Sequence, residues 1–167
     1  MTEDGFLRTG DIGEFDEDGH LRITGRKKEI IITAGGKNIA PLNIESSLLA
    51  SPFIEQVAII GEKRKYLAAL IVPSFAELMT WAKNNGFGDQ DRETLVKNDA
   101  VIKLFTSEID KLTKDLGQVE KIKQFKLLPS EWSQETGELT PTLKIKRRII
   151  SAKFSSEIES MYPAEAN

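Results

Sequence analysis

The chain has 167 residues, 40% of them hydrophobic and 29% charged, which suits one soluble domain or one domain with part of another. The net charge of -3 lacks the basic surplus that a polyanion partner calls for, so nucleic acid is not expected as a ligand. No cysteine and a single histidine, His20, exclude disulfides, thiolate chemistry and multi-histidine metal sites. No apolar run approaches the ~20 residues that span a bilayer. The acidic start Met1-Thr2-Glu3-Asp4-Gly5 does not read as a signal peptide.

Asp11 to Phe15 and His20 to Gly25 alternate around Asp16-Glu17-Asp18-Gly19, which predicts a β-hairpin. Glu29 to Thr33 is a β-branched run that ends at Gly35-Gly36, a second strand and turn. Pro41 suits a first helical turn, and Ile44, Leu48 and Leu49 give that helix an apolar face up to Ser51-Pro52. Two nearly all-apolar strands follow, Val57 to Ile60 and Leu67 to Val72, joined by Gly61-Glu62-Lys63-Arg64-Lys65, whose cations read as a solvated hairpin tip or a phosphate contact. The period then becomes helical over Phe75 to Ala82, breaks at Asn84-Asn85-Gly86, and returns over Val101 to Leu116. Phe125 and Leu127 predict one more strand, and Trp132 to Gly137 an irregular polar stretch. Ile145, Ile149, Phe154, Ile158 and Met161 predict one terminal amphipathic helix. The order ββ-α-ββ-αα-β-α points to an α+β fold with a small mixed or antiparallel sheet flanked by helices. Trp81 and Trp132 read as packing residues, and His20 as exposed.

Three clusters can carry chemistry. Leu7-Arg8-Thr9-Gly10-Asp11 ends in a carboxylate that could accept from a ribose diol, or is a solvated turn. Gly25-Arg26-Lys27-Lys28-Glu29 sets adjacent cations after the hairpin, for phosphate or ribose oxygens, or as a basic strand edge. The third runs from Gly137 through Thr140-Pro141-Thr142-Leu143-Lys144 to Arg148, a flexible polar loop entering a helix. A lysine there is a mobile point charge suited to stabilising developing negative charge, or an ordinary surface group. Cations at a helix N-terminus oppose the macrodipole, so something other than helix stability places them there.

In order and spacing these clusters resemble the adenylate-forming enzymes: acyl-CoA synthetases, luciferase and peptide-synthetase adenylation domains. Thr9-Gly10-Asp11, Gly25-Arg26-Lys27-Lys28-Glu29 and Pro141-Thr142-Leu143-Lys144-Ile145-Lys146-Arg147 match the family's three motifs along essentially the whole chain. Leu-Thr-Pro-Thr-Leu-Lys-Ile-Lys-Arg and the helices between Phe75 and Leu116 resemble the long-chain fatty acid–CoA ligase branch. The resemblance implies that residues 1–27 are the tail of a large N-terminal AMP-binding domain, and that 28–167 form the small mobile C-terminal lid. The phosphate loop, the acyl pocket and the Mg²⁺ ligand would lie in that large domain, which is the lid's partner. This stretch would hold no metal ligand, and alone it would be inactive.

Residue by residue, the resemblance makes Asp11 the ribose ligand, Ile23 a residue against the nucleotide, and Arg26 a second ribose or phosphate contact. Lys28 becomes the hinge. Gly35 and Gly36 become the turn that lines the CoA channel after domain rotation, and Lys144 the lysine that bridges the attacking carboxylate and the α-phosphate. The implied reaction joins a fatty acid to ATP as acyl-AMP, releasing pyrophosphate, and then passes the acyl group to CoA. Positioning and charge neutralisation dominate such chemistry. Two departures stand out: Leu143 sits where many relatives have glycine, and Ile32 where some have a base. An acyl-carrier-protein thiol therefore stays open as the acceptor. The rival of another class is a non-catalytic module whose Lys144, Lys146, Arg147 and Arg148 bind nucleic acid or anionic lipid; the acidic balance opposes it. A cytoplasmic location is expected, with peripheral membrane association of the parent left open.

Overall fold

The computed structural model describes residues 1–162. Strands β1 (Asp11–Phe15) and β2 (Leu21–Arg26) form the expected antiparallel hairpin, with Asp11 opposite Arg26. Its turn is built by Asp16, whose Oδ1 accepts from the backbone N–H groups of Asp18 (3.0 Å) and His20 (2.8 Å). Gly19 closes the turn at φ +82°, a conformation that glycine adopts without a Cβ clash. His20 is exposed beside Asp16.

The expected strand at Glu29 to Thr33 shortens to β3 (Ile31–Ile32), which pairs with β4 (Asn38–Ile39) across the glycine turn. Helix α1 (Pro41–Leu48) starts at its proline and buries Ile44 and Leu48 as expected, whereas Leu49, expected on the same face, is the C-cap and is 48% exposed. Strands β5 (Ile54–Ile60) and β6 (Leu67–Pro73) are antiparallel, and β7 (Ile122–Leu127) joins β6 in parallel. The sheet order is β5-β6-β7, so β6 is central, and all seven of its residues are buried. That position is why its sequence carries no polar alternation. At the edge, β7 exposes Lys123 and Lys126, charges that discourage further strand pairing.

A parallel β6–β7 step needs a long crossover. It consists of α2 (Phe75–Asn84), α3 (Arg92–Leu95) and α4 (Asp99–Leu112). Asp91 caps α3 by accepting from the Thr94 N–H, and Asn98 caps α4 by accepting from the Ala100 N–H. Helix α4 buries Val101, Phe105 and Ile109, one face at i, i+4, i+8. The stretch after β7 is pinned rather than irregular: Gln56 accepts from the Trp132 N–H (2.7 Å) and donates to its carbonyl (2.9 Å). Trp132 is buried and Trp81 stacks on Phe87, as packing residues should.

The single terminal helix is corrected to two, α5 (Arg147–Lys153) and α6 (Ser155–Ser160), with the break at Phe154. Ile145 does not join a helix; it bridges Leu139 in an antiparallel pair. Both changes follow from packing. Trp132 takes Phe154 at 6.3 Å between ring centroids, while Ile150 and Ile158 enter the core from separate short helices. The architecture is α+β, as the order of elements implied. Among the described residues no helix is long and apolar enough to cross a membrane.

Candidate functional site

The segment that carries Lys144 is a closed hairpin tip, not the flexible loop expected. Leu139 and Ile145 pair, the Thr140 N–H donates to the Lys144 carbonyl (2.8 Å), and the Leu143 N–H donates to the Thr140 carbonyl (2.9 Å). The Lys144 N–H donates to Thr140 Oγ1 at 3.0 Å. Pro141 suits the second position of such a turn because its ring presets φ. Leu143 sits at φ +59°, where a side chain is disfavoured, and is 69% exposed. The left-handed backbone at this point explains why glycine would be at home there. Lys144 itself is exposed at the tip, its backbone held and its side chain outward; among the described residues no carboxylate pairs with its ammonium.

This tip borders a cleft of about 750 Å³ that also takes in Asp11, Ile23 and Arg26 from the hairpin. Four of the residues singled out in the sequence thus share one cavity. Arg26 Nε lies 2.9 Å from Asp11 Oδ1, as their places opposite one another on β1 and β2 require. Both are exposed to solvent. Leu42, Leu49 and Val57 add an apolar wall, and Lys146 and Arg148 add cations beside Lys144. Apolar wall, carboxylate and cations in one cleft are the chemistry that a nucleotide needs: a face for the base, an acceptor for a sugar diol, and charge for phosphate. Arg147 also borders this wall, with its Nε buried and without a partner.

Lys28 and the glycine pair lie elsewhere. Lys28 is exposed in the turn after β2, where the Lys27 N–H reaches the Gly10 carbonyl (2.8 Å) and the Glu29 N–H the Arg26 carbonyl (2.9 Å). Gly35 and Gly36 sit in the β3–β4 turn and do not border the cleft. Gly36 has φ +72° and open space around it, so backbone alone faces solvent there.

Residues not singled out for a role hold this site in place. Glu45 of α1 is 6% exposed; its carboxylate accepts from the Ile59 N–H (2.8 Å) and from Arg147 Nη2 (3.1 Å), and Arg147 Nη1 lies 2.8 Å away as an ion pair. Arg147 Nη1 also donates to the Ile59 carbonyl at 2.7 Å. This pair ties the start of α5 to α1 and β5, and gives Arg147 a reason to stand at a helix N-terminus against the macrodipole. Arg147 is therefore a structural cation and not a free binding group. Glu138 is 1% exposed and is held by Lys153 and by Thr136, while its carbonyl accepts from the Lys146 N–H at 2.7 Å. Burial by itself raises the Glu138 carboxyl, but hydrogen bonds from Lys153 and Thr136 outweigh it and hold the group down at about 2. The sequence cue to Glu45 was its place on an apolar helix face, and Glu138, in a polar stretch, had no local cue. Glu45 is flanked by Ile44 and Leu48 on the buried side of α1, and Glu138 precedes Leu139.

The family described as AMP-binding enzyme C-terminal domain matches residues 28–166. Among similar proteins, the long-chain-fatty-acid–CoA ligase FadD15 of Mycobacterium tuberculosis is 40% identical over 170 residues, 97% of this chain and 27% of that one. The human long-chain-fatty-acid–CoA ligase 1 is 38% identical over 165 residues, 97% of this chain and 24% of that one. The chain thus spans about a quarter of the length of the relatives it matches. In fold it is similar to the adenylation domain of a carboxylate reductase from Mycobacterium chelonae, with a TM-score of 0.77 at 24% identity, over 96% of this chain and 23% of that one. The adenylation domain of the Segniliparus rugosus carboxylic acid reductase, solved with AMP, gives 0.76 at 23% identity, over 96% of this chain and 24% of that one. On the match of residues 28–166, the chain belongs to the family of AMP-binding enzyme C-terminal domains.

Proposed function

We propose that this chain is the C-terminal lid of an AMP-forming long-chain fatty acid–CoA ligase, an acid–thiol ligase that makes acyl-AMP from fatty acid and ATP and then acyl-CoA. The observation that carries the reading is the shared cleft, where exposed Lys144 faces the same cavity as Asp11 and Arg26. In this reading Asp11 and Arg26 take the ribose, Ile23 lies against the base, and Lys144 neutralises charge where carboxylate oxygen meets the α-phosphorus. With its backbone held and its side chain exposed, Lys144 offers a mobile point charge on a fixed base. Residues 1–27 belong to the large domain, and the start of the family match at residue 28 supports a hinge at Lys28. Rotation there withdraws Lys144 and brings in the Gly35-Gly36 turn, which explains why that turn lies away from the cleft. Mg²⁺ would be held by the large domain, which also carries the acyl pocket, and would supply neutralising charge to the phosphates. The enzyme works in the cytoplasm.

The test is Lys144→Ala in the intact parent. ATP–pyrophosphate exchange driven by a long-chain fatty acid should fall by roughly 10²–10³, the usual loss when one pre-organised charge donor is removed. Exchange at the unsubstituted rate would end the assignment. Offering CoA and an acyl-carrier protein in parallel identifies the acceptor, and CoA is the expected one.

A further inference from the structure

The Gly35-Gly36 turn is gripped from outside its own hairpin. On the inner edge β3 pairs with β4. On the outer edge the Ile32 N–H donates to the Glu62 carboxylate (2.9 Å), the Lys63 N–H donates to the Ile32 carbonyl (2.8 Å), and the Ala34 N–H donates to the Arg64 carbonyl (2.9 Å). The 61–65 turn therefore holds the outer edge of the hairpin that carries the glycines, through two backbone bonds and one carboxylate. That turn is itself strained. Lys63 has φ +57°, and among the described residues only Leu143 shares a positive φ without being glycine. Both strained positions stand beside the two elements that the proposed rotation exchanges, the glycine turn and the lysine tip. Strain of this kind persists only where the surroundings over-determine it.

The residue next to Lys63 is held from the far end of the chain. Arg64 reaches Glu159 of α6 with both terminal nitrogens, Nη1 at 3.1 Å from Oε2 and Nη2 against Oε1, and its guanidinium lies 4.8 Å above the Tyr162 ring. Tyr162 stacks on Tyr66 and donates to the carbonyls of Ile60 (3.1 Å) and Tyr66 (3.2 Å), while Tyr66 donates to the Met161 carbonyl (2.6 Å). Burial pushes the Tyr162 phenol up to about 12, so it remains a donor throughout the working range. Arg64 is thus a paired cation at the surface, its side chain 32% exposed and that of Glu159 62% exposed. None of these residues borders the cleft that holds Lys144.

We propose that the 61–65 turn and the Arg64–Glu159 clamp behind it position the Gly35-Gly36 turn for the thioester-forming half-reaction and leave adenylation untouched. This rests on the ligase reading above. Arg64 and Glu159 act through the backbone of Ile32 and Ala34, so they are positioning residues. The substrate they serve is the thiol acceptor, whose sulfur attacks the acyl carbonyl of acyl-AMP as the thiol proton is lost and AMP departs. A wall placed wrongly by about 1 Å costs up to ~10² in rate.

The experiment uses the intact parent with Arg64→Met, Glu159→Met, and the exchanged pair Arg64→Glu with Glu159→Arg. Pyrophosphate exchange and the kcat/KM for CoA are measured on each. Each single variant should lower kcat/KM for CoA about ten- to hundredfold and keep exchange within about twofold, and the exchanged pair should recover most of the loss. Parallel losses in both half-reactions would overturn the proposal as a general folding defect, and unchanged CoA kinetics would overturn it directly. A low rate in the exchanged pair would overturn it too, since Arg64 would then touch the acceptor itself. Failure of the underlying reading shows separately, as an unsubstituted parent that makes acyl-AMP and no acyl-CoA; that result removes this assignment with it.

Discussion

Replacing Glu45 with alanine should destabilise the chain by about 3 kcal/mol, the low end of the cost of breaking a buried ion pair. The carboxylate is 6% exposed, accepts one bond from the Ile59 N–H and one from Arg147 Nη2, and pairs with Arg147 Nη1 at 2.8 Å. Without it, the Ile59 N–H loses its side-chain acceptor and Arg147 keeps only the Ile59 carbonyl, with Nε already unpaired. The low end applies because the Arg147 side chain is 22% exposed and so partly reaches water. At ~2–4 °C per kcal/mol for a chain of this size, Tm should drop by about 6–12 °C. Urea unfolding of the 167-residue chain gives the free energy, and scanning calorimetry gives the shift in Tm. A double variant, Glu45→Met with Arg147→Met, should cost less than the two single changes together, by at least about 1.5 kcal/mol, because it leaves no charge stranded. Additive single effects, or a Glu45→Ala cost below about 1 kcal/mol, would show that the pair does not hold α5 to α1 and β5.

Two further outcomes follow from the loop that presents Lys144. Glu138 is held at about 2 against 4.5, so its folded value is depressed; the stability it confers is complete above about pH 4.5 and is lost as pH falls toward 2. At ~1.4 kcal/mol per pH unit the upper bound is ~3 kcal/mol, and since Lys153 is 46% exposed, screening leaves about 1–2 kcal/mol. Urea midpoints followed from pH 6 to pH 3 should show that loss in the native chain and a flatter profile in Glu138→Gln. Leu143→Gly should raise stability by about 0.5–1 kcal/mol, because a left-handed backbone burdens a leucine and not a glycine. A lower urea midpoint in that variant would mean that the leucine side chain contributes more than the backbone strain costs.

Much of this layout was legible along the chain. Pro41 started α1, Gly19 closed the first turn, and the unbroken apolar run Leu67 to Val72 announced a strand buried on both faces. Those signals are local: a ring that presets φ, a missing Cβ, a period of hydrophobicity. The failures were failures of partnership. Ile145, Ile149, Phe154 and Ile158 have helical spacing, yet Ile145 found Leu139, and Ile149 stays 43% exposed on a helix too short to bury it. Arg64 looked like solvated charge because Glu159 and Tyr162 lie about a hundred positions away in sequence. Lys144 was found through the Thr-Pro-Thr-Leu-Lys pattern, but the left-handed backbone at Leu143 that aims it was not visible, since leucine does not advertise that conformation.

The α+β class and the family were legible in the sequence alone, as were the motifs that single out Asp11, Ile23, Arg26 and Lys144, because each depends on residues close in the chain or on a motif kept in order. Only the tertiary structure decided that these four side chains share one cleft and that Gly35 and Gly36 do not. It also decided that Glu45, Glu138 and Arg64 are the fastenings. The physical reason is desolvation: a charge in sequence shows no sign of whether it will keep its water. Burial alone turns Glu45 and Arg147, 102 residues apart, into an obligatory pair.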